Sequence, residues 1–323
     1  MINKEMFLIE DLKNSPMMAM RDGYGEGVVE AGKRNGMVVV LVADLTESTR
    51  TDLFKTEFPE RFFEMGISEQ NMMGVAAGMA ACGKIPFVNS FACFNPGRNW
   101  EQMRLSVCLS GNNVKVIGGH AGFGNGTDGG NQQMFEDIAL TRVLPHLTVV
   151  VPADYEQAKK MVLAMADFFG PVYMRMTKPK RPTVTTVGTP LTIGRAQVLR
   201  SGKDVSVFAC GVMVYEALVA AEELANEIDV EVINVHTIKP LDKETIIASA
   251  RKTKKVVTAE EHSIIGGLGG AIAELLAEEY PVRVKRVGMR DKFGETGEPD
   301  ELLVKYGMTK EAIIGKLRNW YEW

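Results

Sequence analysis

The sequence is poor in the residues that build metal cages and disulfide frameworks. Four cysteines (Cys82, Cys93, Cys108, Cys210) and four histidines (His120, His146, His236, His262) are scattered through 323 residues. With no CxxC pair and no HExxH, neither a zinc centre nor a dithiol redox centre offers a basis for function. The cysteines fall mostly in apolar stretches and read as reduced and buried. Lys/Arg-rich runs interleaved with aromatics are missing, and the formal net charge is −4, which argues against nucleic acid or an anionic membrane as partner. The longest apolar runs, such as Met37–Ala43, are strand-sized and too short to span a bilayer. The opening residues, MINKEMFLIEDLK, lack the apolar core of a secretory signal, so a cytoplasmic location is expected. Low-complexity tracts and short repeats are also lacking.

What is present is an ordinary globular balance, 46% apolar and 24% charged, in a chain long enough for two domains. Short β-branched runs alternate with helix-length stretches. Strands are predicted at Val38–Ala43, Pro86–Asn89, Val114–Gly118, Leu147–Val151 and Val172–Met176, and helices at Glu69–Cys82, Arg98–Leu109, Gln132–Val143 and Tyr155–Phe168. Runs such as VVVLVA are apolar at successive positions, as parallel strands covered on both faces are. Residues 177–192 hold three prolines, a glycine and several threonines and read as an extended linker. The alternation then restarts, with strands at Val205–Ala209, Val230–Val235, Lys255–Ala259 and Val282–Val287 and helices at Val214–Glu227, Lys243–Arg251 and Gly270–Glu279. About nine strands would also suit one (β/α)₈ barrel. The break near residue 180 favours two doubly wound, mostly parallel α/β domains, 1–185 and 190–323.

Several segments occur in a fixed order: VADLTEST (Val42–Thr49), MGISEQNMMGVAAGMA (Met65–Ala80), SFACFNPGR (Ser90–Arg98), GGHAGFGNGTDGG (Gly118–Gly130), LPHLTVVVPAD (Leu144–Asp154), HTIKPLD (His236–Asp242) and EEHSIIGGLGG (Glu260–Gly270). As a set they resemble the second half of transketolases over nearly the whole chain. The resemblance implies a pyrimidine-binding domain followed by a C-terminal domain. A full transketolase is about twice as long and begins with a domain whose GDG…N motif holds metal and diphosphate; that motif is not found here. The chain therefore looks like the second polypeptide of a split transketolase. Implied with it are thiamine diphosphate, Mg²⁺ or Ca²⁺ bound by ligands on the partner rather than on this chain, and a partner subunit carrying the diphosphate-binding domain. Two copies of each chain would form a heterotetramer acting on sugar phosphates by two-carbon ketol transfer.

The resemblance also assigns residues. Thiamine chemistry needs a carboxyl group that exchanges a proton with N1′ of the cofactor's pyrimidine. Glu69 stands at that position, ahead of an apolar Gly/Ala-rich helix that implies partial burial. Residue types alone would instead make Ser68 an N-cap and Glu69 a first-turn acid favoured by the helix dipole. Phe91 and Phe94 match aromatics that stack on the pyrimidine. The third aromatic expected nearby is Gly97, which leaves one wall of the pocket missing. Asp44, at the end of a buried strand, matches an aspartate close to the cofactor. Arg21, Ser48, His120 and Asp128 match contacts to sugar hydroxyls or phosphate, with His120 expected to handle hydroxyl or alkoxide protons.

Two departures bear on substrate. Asp128-Gly129-Gly130-Asn131-Gln132-Gln133 replaces the usual DGPTHQ, so an amide that cannot titrate, Gln132, stands where an imidazole is expected. Lys178 replaces an arginine, a point charge in place of a planar fork. Either the proton relay or the substrate then differs from the usual one, and together the two departures point to an unusual donor or acceptor, such as a branched or modified sugar phosphate.

Three rival readings exist. Residues 124–129 satisfy G-x-G-x-x-G and Asp154 ends the next strand, as in a nicotinamide dehydrogenase, though His120–Phe123 intervene between strand and motif. The beta subunit of a 2-oxo-acid dehydrogenase shares the length and the SEQ-type glutamate. A non-catalytic partner-binding chain is the third, in which Gly266–Gly270 could cradle an anion; close helix packing or a domain interface explains that run more simply.

Overall fold

The computed structural model describes residues 1–320. The first half contains β1 (Met17–Ala19), α1 (Met20–Arg34), β2 (Val38–Val42), α2 (Asp52–Glu57), β3 (Phe62–Glu64), α3 (Glu69–Ala81), β4 (Ile85–Phe91), α4 (Trp100–Gln102), β5 (Lys115–Gly119), α5 (Asp137–Arg142), β6 (Thr148–Val150), α6 (Tyr155–Asp167), β7 (Val172–Arg175) and β8 (Lys180–Pro182). The second contains β9 (Gln197–Arg200), β10 (Val205–Ala209), α7 (Met213–Glu223), β11 (Val230–Asn234), β12 (Thr237–Lys239), α8 (Lys243–Thr253), β13 (Val256–Ser263), α9 (Leu268–Glu279), β14 (Val284–Met289), α10 (Pro299–Lys305) and α11 (Lys310–Arg318).

Apart from the antiparallel pair β1-β8, the strands form two open sheets, so the barrel alternative falls. One has seven strands in the order β12-β6-β7-β5-β4-β2-β3 and is parallel except for β12. The other has five, β14-β13-β10-β11-β9, parallel except for edge strand β9. All five residues of β2, a continuous apolar run, are buried between helix layers, and so are all five of β10, where the one polar residue, Ser206, is satisfied by the hydroxyls of Ser249 and Thr253. β12 crosses over from the second half to pair with β6, which stitches the two sheets into one body. In the larger sheet β7, β5, β4 and β2 are adjacent, so the segments leaving their C-terminal ends lie side by side. Those segments carry Lys178, His120, Phe94 and Asp44, and open α/β sheets bind ligands at this end of their strands.

Four features differ from the sequence expectation. α1 went unpredicted because Gly23, Gly25, Gly27 and Gly32 depress helix propensity. Packing explains them: Gly23 and Gly27 press on the backbone of α6 at Tyr155 and Lys159, and Gly32 on the rings of Phe54 and Phe58. The helix expected over 98–109 is mostly π-helical, over Met103–Leu109. The helix expected from Gln132 begins at Asp137, because 120–136 forms a loop closed by the Gly122 N–H donating to Met134 O at 2.8 Å. The 177–192 segment is extended but pinned: the Asp154 carboxylate accepts from the amides of Val184 and Thr185 at 2.8 and 2.7 Å and from the Thr185 hydroxyl at 2.6 Å.

Burial sets a pH dependence of stability. Chiefly because they are withdrawn from water, His120 is held down to about 3 and His236 and His262 to about 4, against 6.5 when exposed. Their folded values lie below the unfolded one. The stability they confer is therefore complete above pH 6.5 and is lost as pH falls toward 4, by up to about 3 kcal/mol per group. Burial raises Glu260 to about 7 and raises Glu261, and stability from such groups runs the other way, present at low pH and lost as pH rises. Replacing one buried imidazole, His236→Asn, should therefore raise the urea midpoint at pH 5 relative to that at pH 7.5, compared with the wild-type chain; an unchanged pH dependence would contradict this assignment.

Candidate active site

Glu69 opens α3, which follows edge strand β3 and packs on β4, and is only 2% exposed, more buried than its sequence context suggested. The Arg98 guanidinium donates to its Oε2 at 3.0 Å. Ser68 does not cap α3: its hydroxyl donates to Met65 O at 2.6 Å. The carboxylate is thus held at the surface of the core by a tertiary partner and not by the first turn of its own helix.

The turn that follows β4 carries the aromatic wall. Phe91 and Phe94 stack with centroids 6.1 Å apart and planes 18° apart. The Arg98 guanidinium carbon lies 4.2 Å from the Phe94 centroid, and Phe91 stacks on the His120 imidazole at 4.0 Å. Two buried amides, absent from the sequence reading, fix this turn. Asn95 Nδ2 donates to Val88 O at 3.0 Å and Ile117 O at 2.9 Å, and Asn99 Nδ2 donates to Asn95 Oδ1 at 2.9 Å. Gly97 cannot carry the missing third aromatic, because a Cβ there would sit inside the Cys93 carbonyl. Gly97→Ala should cost about 1–3 kcal/mol by overpacking, read as a lower urea midpoint; an unchanged midpoint would show that the turn gives way freely.

His120 follows β5 with a left-handed φ of 57° and is 2% exposed. Among the described residues its Nε2 has no hydrogen-bond partner. Burial, and then the positive charges of Lys178 and Arg21, hold it at about 3, so the ring is neutral across the working pH range. Beside it lies a cleft of about 340 Å³ whose walls include Arg21, Arg50, Lys178 and Lys180 against Asp22 and Glu298. Four cations facing two carboxylates favour an anionic ligand. Arg21 Nη1 donates to Ser48 O at 3.1 Å and Arg50 Nε to Asp22 Oδ1 at 2.6 Å. Ser48 therefore orients Arg21 through its carbonyl. Asn125 also lines the cleft; it is 2% exposed and both of its side-chain polar atoms lack a partner among the described residues. The sequence hid it inside a glycine-rich run.

Glu69, Arg98, Phe94, Phe91 and His120 thus form one continuous line of contacts, with Arg21 and Lys178 at its His120 end. Asp44, Asp128 and Gln132 share the same end of the sheet without joining that line. Asp44 is exposed, with φ 54° and its N–H donating to Glu64 Oε1 at 2.7 Å. Asp128 is exposed at the close of a 3₁₀ segment, Phe123–Asp128, and Gln132 is half-buried.

The glycine-rich motifs of the rival readings have other uses. Residues 124–129 do not turn a strand into a helix. Gly126 and Gly130 pack on the backbone at Gly297 and Gly294, where no Cβ would fit. Asp154 caps α6 and anchors the linker. At Gly266–Gly270 the helix N-terminus is already occupied by the chain's own carboxyl group: Glu260 accepts from the Leu268 and Gly269 amides at 2.7 and 2.8 Å. Among the described residues no group of three His, Cys, Asp or Glu could hold a metal ion, and no helix is long and apolar enough to cross a membrane.

Residues 16–183 match the transketolase pyrimidine-binding domain and residues 194–313 the transketolase C-terminal domain. The chain belongs to the transketolase family. It is 45% identical over 305 residues to a putative transketolase C-terminal section of Methanocaldococcus jannaschii, covering 92% of this chain and 95% of that one. It is 43% identical to a 6-deoxy-6-sulfo-D-fructose transketolase subunit of Clostridium sp., covering 91% and 92% of the two chains. The unsplit rat transketolase is matched over only 49% of its own length. A solved split-gene transketolase, described as an inactive beta4 tetramer, superposes with a TM-score of 0.88 at 47% identity, covering 94% of this chain and 98% of that one. These matches make the chain a transketolase subunit, a component of a transferase, and not the beta subunit of a 2-oxo-acid dehydrogenase.

Proposed function

We propose that this chain forms the pyrimidine side of a two-carbon ketol-transfer site, with domains 1–185 and 190–323, and that a second polypeptide supplies the diphosphate-binding domain and the Mg²⁺ or Ca²⁺ ligands. The observation that carries the reading is the buried Glu69 carboxylate beside the Phe94 face. A planar, N–H-bearing cation, the Arg98 guanidinium, already rests on that ring and donates to that carboxylate. An aminopyrimidine ring asks for the same two contacts, and the Arg98 side chain, 47% exposed, is free to leave them. The residues therefore fit the pyrimidine half of thiamine diphosphate, which when bound would supply carbanion chemistry.

In this reading Glu69 holds and releases a proton at the ring nitrogen, Phe91 and Phe94 brace the ring face, and Asp44 lies at the cofactor's edge. His120, neutral, offers its unpartnered Nε2 to a substrate hydroxyl or alkoxide. Arg21, oriented by Ser48, and Lys178 take the sugar's terminal oxyanion. Asp128 and Gln132 meet its hydroxyls, and Asn125 adds an amide at the oxyanion. With Gln132 and Lys178 in place of titratable and forked groups, the sugar is branched or modified; relatives named for 6-deoxy-6-sulfo-D-fructose and for apulose-4-phosphate support this. Assembly as two plus two is supported by Gly74 and Gly78, which none of the described residues approaches on the open face of α3, and by Ile67 and Leu109, 73% and 70% exposed. A cytoplasmic site of action fits the four free cysteines. The test is ketol transfer from phosphorylated and sulfonated ketoses by this chain mixed with a diphosphate-domain subunit. Activity is expected in the mixture and in neither chain alone; inactivity with every ketose would defeat the proposal.

A further inference from the structure

Glu260, Glu261 and His262, consecutive in β13, are all buried, and the reading above uses none of them. Two have evident structural tasks. Glu260 fills the N-terminus of α9, and His262 Nε2 accepts from the Ile138 amide at 3.1 Å in the first turn of α5. Glu261 points to the other face of the strand, as alternation requires, and reaches into the larger domain. Its Oε1 accepts from the Phe123 amide at 3.0 Å, and its Oε2 lies 3.7 Å from Arg175 Nη1. Gly122 lies so close to this carboxylate that a Cβ would overlap it. Arg175 is fixed in turn: Nη2 donates to Glu261 O at 2.6 Å, and Nε lies 3.0 Å from Asp137 Oδ2, which also accepts from the Tyr173 hydroxyl at 2.8 Å.

The segment so gripped is the one that leaves His120. A non-glycine residue with left-handed backbone persists only where its surroundings over-determine it. Here three successive amides do so: Ala121 donates to Met176 O at 2.9 Å, Gly122 to Met134 O at 2.8 Å and Phe123 to Glu261. The first two bonds stay within the larger domain. The third comes from the C-terminal domain, which also holds the middle of the loop, with the Gly297 N–H donating to Gly126 O at 3.1 Å.

We infer that Glu261 is a positioning residue for ketol transfer: by accepting the Phe123 amide across the domain boundary it fixes the backbone that aims His120 at the sugar. The kinetic half of this inference rests on the role proposed above for His120; the structural half does not. Glu261→Gln keeps an acceptor for Phe123, whereas Glu261→Ala removes it. In the chain alone, Glu261→Ala should speed amide exchange over 121–128 about tenfold, with peptides from β2 and β10 unchanged and Glu261→Gln close to wild type. In the assembled enzyme, Glu261→Ala should raise the sugar KM and lower kcat/KM by about 10–100-fold, the scale of a small misplacement. Cofactor affinity should hold, and Glu261→Gln should restore most of the loss. Should the alanine variant not fold, Glu261→Asp, too short to reach the loop, replaces it. Wild-type exchange over 121–128 in the variant, or uniform loosening with an unchanged KM, overturns the inference. A wild-type mixture without ketol transfer condemns the site reading instead, and the exchange measurement still decides the latch.

Discussion

Glu69→Ala is expected to lower ketol transfer by about 10²–10⁴-fold, the range for losing a positioned proton-transfer group, while the chain stays folded. The two effects separate because of the local geometry. The carboxylate is buried, but its ion-pair partner Arg98 is half exposed, so the substitution strands no charge in the core. Glu69→Gln should lose activity as severely, because the amide keeps shape but cannot exchange a proton. Arg98→Ala should stay within a few-fold of wild type, since in the assembled site the guanidinium is displaced from Glu69. A coupled ketol-transfer assay run beside a thermal melt distinguishes these outcomes. Near-normal turnover in Glu69→Ala would remove the proposed role outright.

The second large effect is expected at the basic cleft. Lys178→Ala should cost about 1.5–3 kcal/mol, roughly 10–150-fold in kcat/KM, the value of a hydrogen bond to a charged group. Most of it should appear as a higher KM for the anionic ketose. Arg21→Ala should behave alike and lose the Ser48 contact as well. Two controls make the assignment specific. A ketose lacking the terminal anion should be indifferent to either substitution, and the wild-type KM should rise with salt. If instead the neutral sugar suffers equally, the cleft does not hold the oxyanion.

Much of this was legible in the sequence, for physical reasons. β2 is a continuous apolar run that two-sided burial explains, and the mostly apolar β10 matches its sequence expectation to the residue. The elements that escaped are those whose stability is tertiary. α1 is held by close glycine contacts with α6, which lower the local signal while improving the packing. β12 is three residues long and exists only because β6 offers it an edge. Within the site, Glu69, Phe91, Phe94 and His120 stood out through their ordered segments. Arg98, Asn95, Asn99 and Asn125 did not, since an asparagine buried by long-range bonds looks like any turn residue on paper. The same limit applies to Gly97. The sequence shows a missing aromatic, and only the backbone shows that no side chain fits.

The most direct test of the central claim is calorimetric titration of thiamine diphosphate, with Mg²⁺, into this chain alone, into the diphosphate-domain subunit alone, and into their mixture, each with wild-type chain and with Glu69→Ala. Tight binding in the mixture only, weakened by the substitution, is the predicted result. Binding by this chain alone, or a mixture indifferent to Glu69→Ala, would contradict a site shared between two polypeptides and built on that carboxylate.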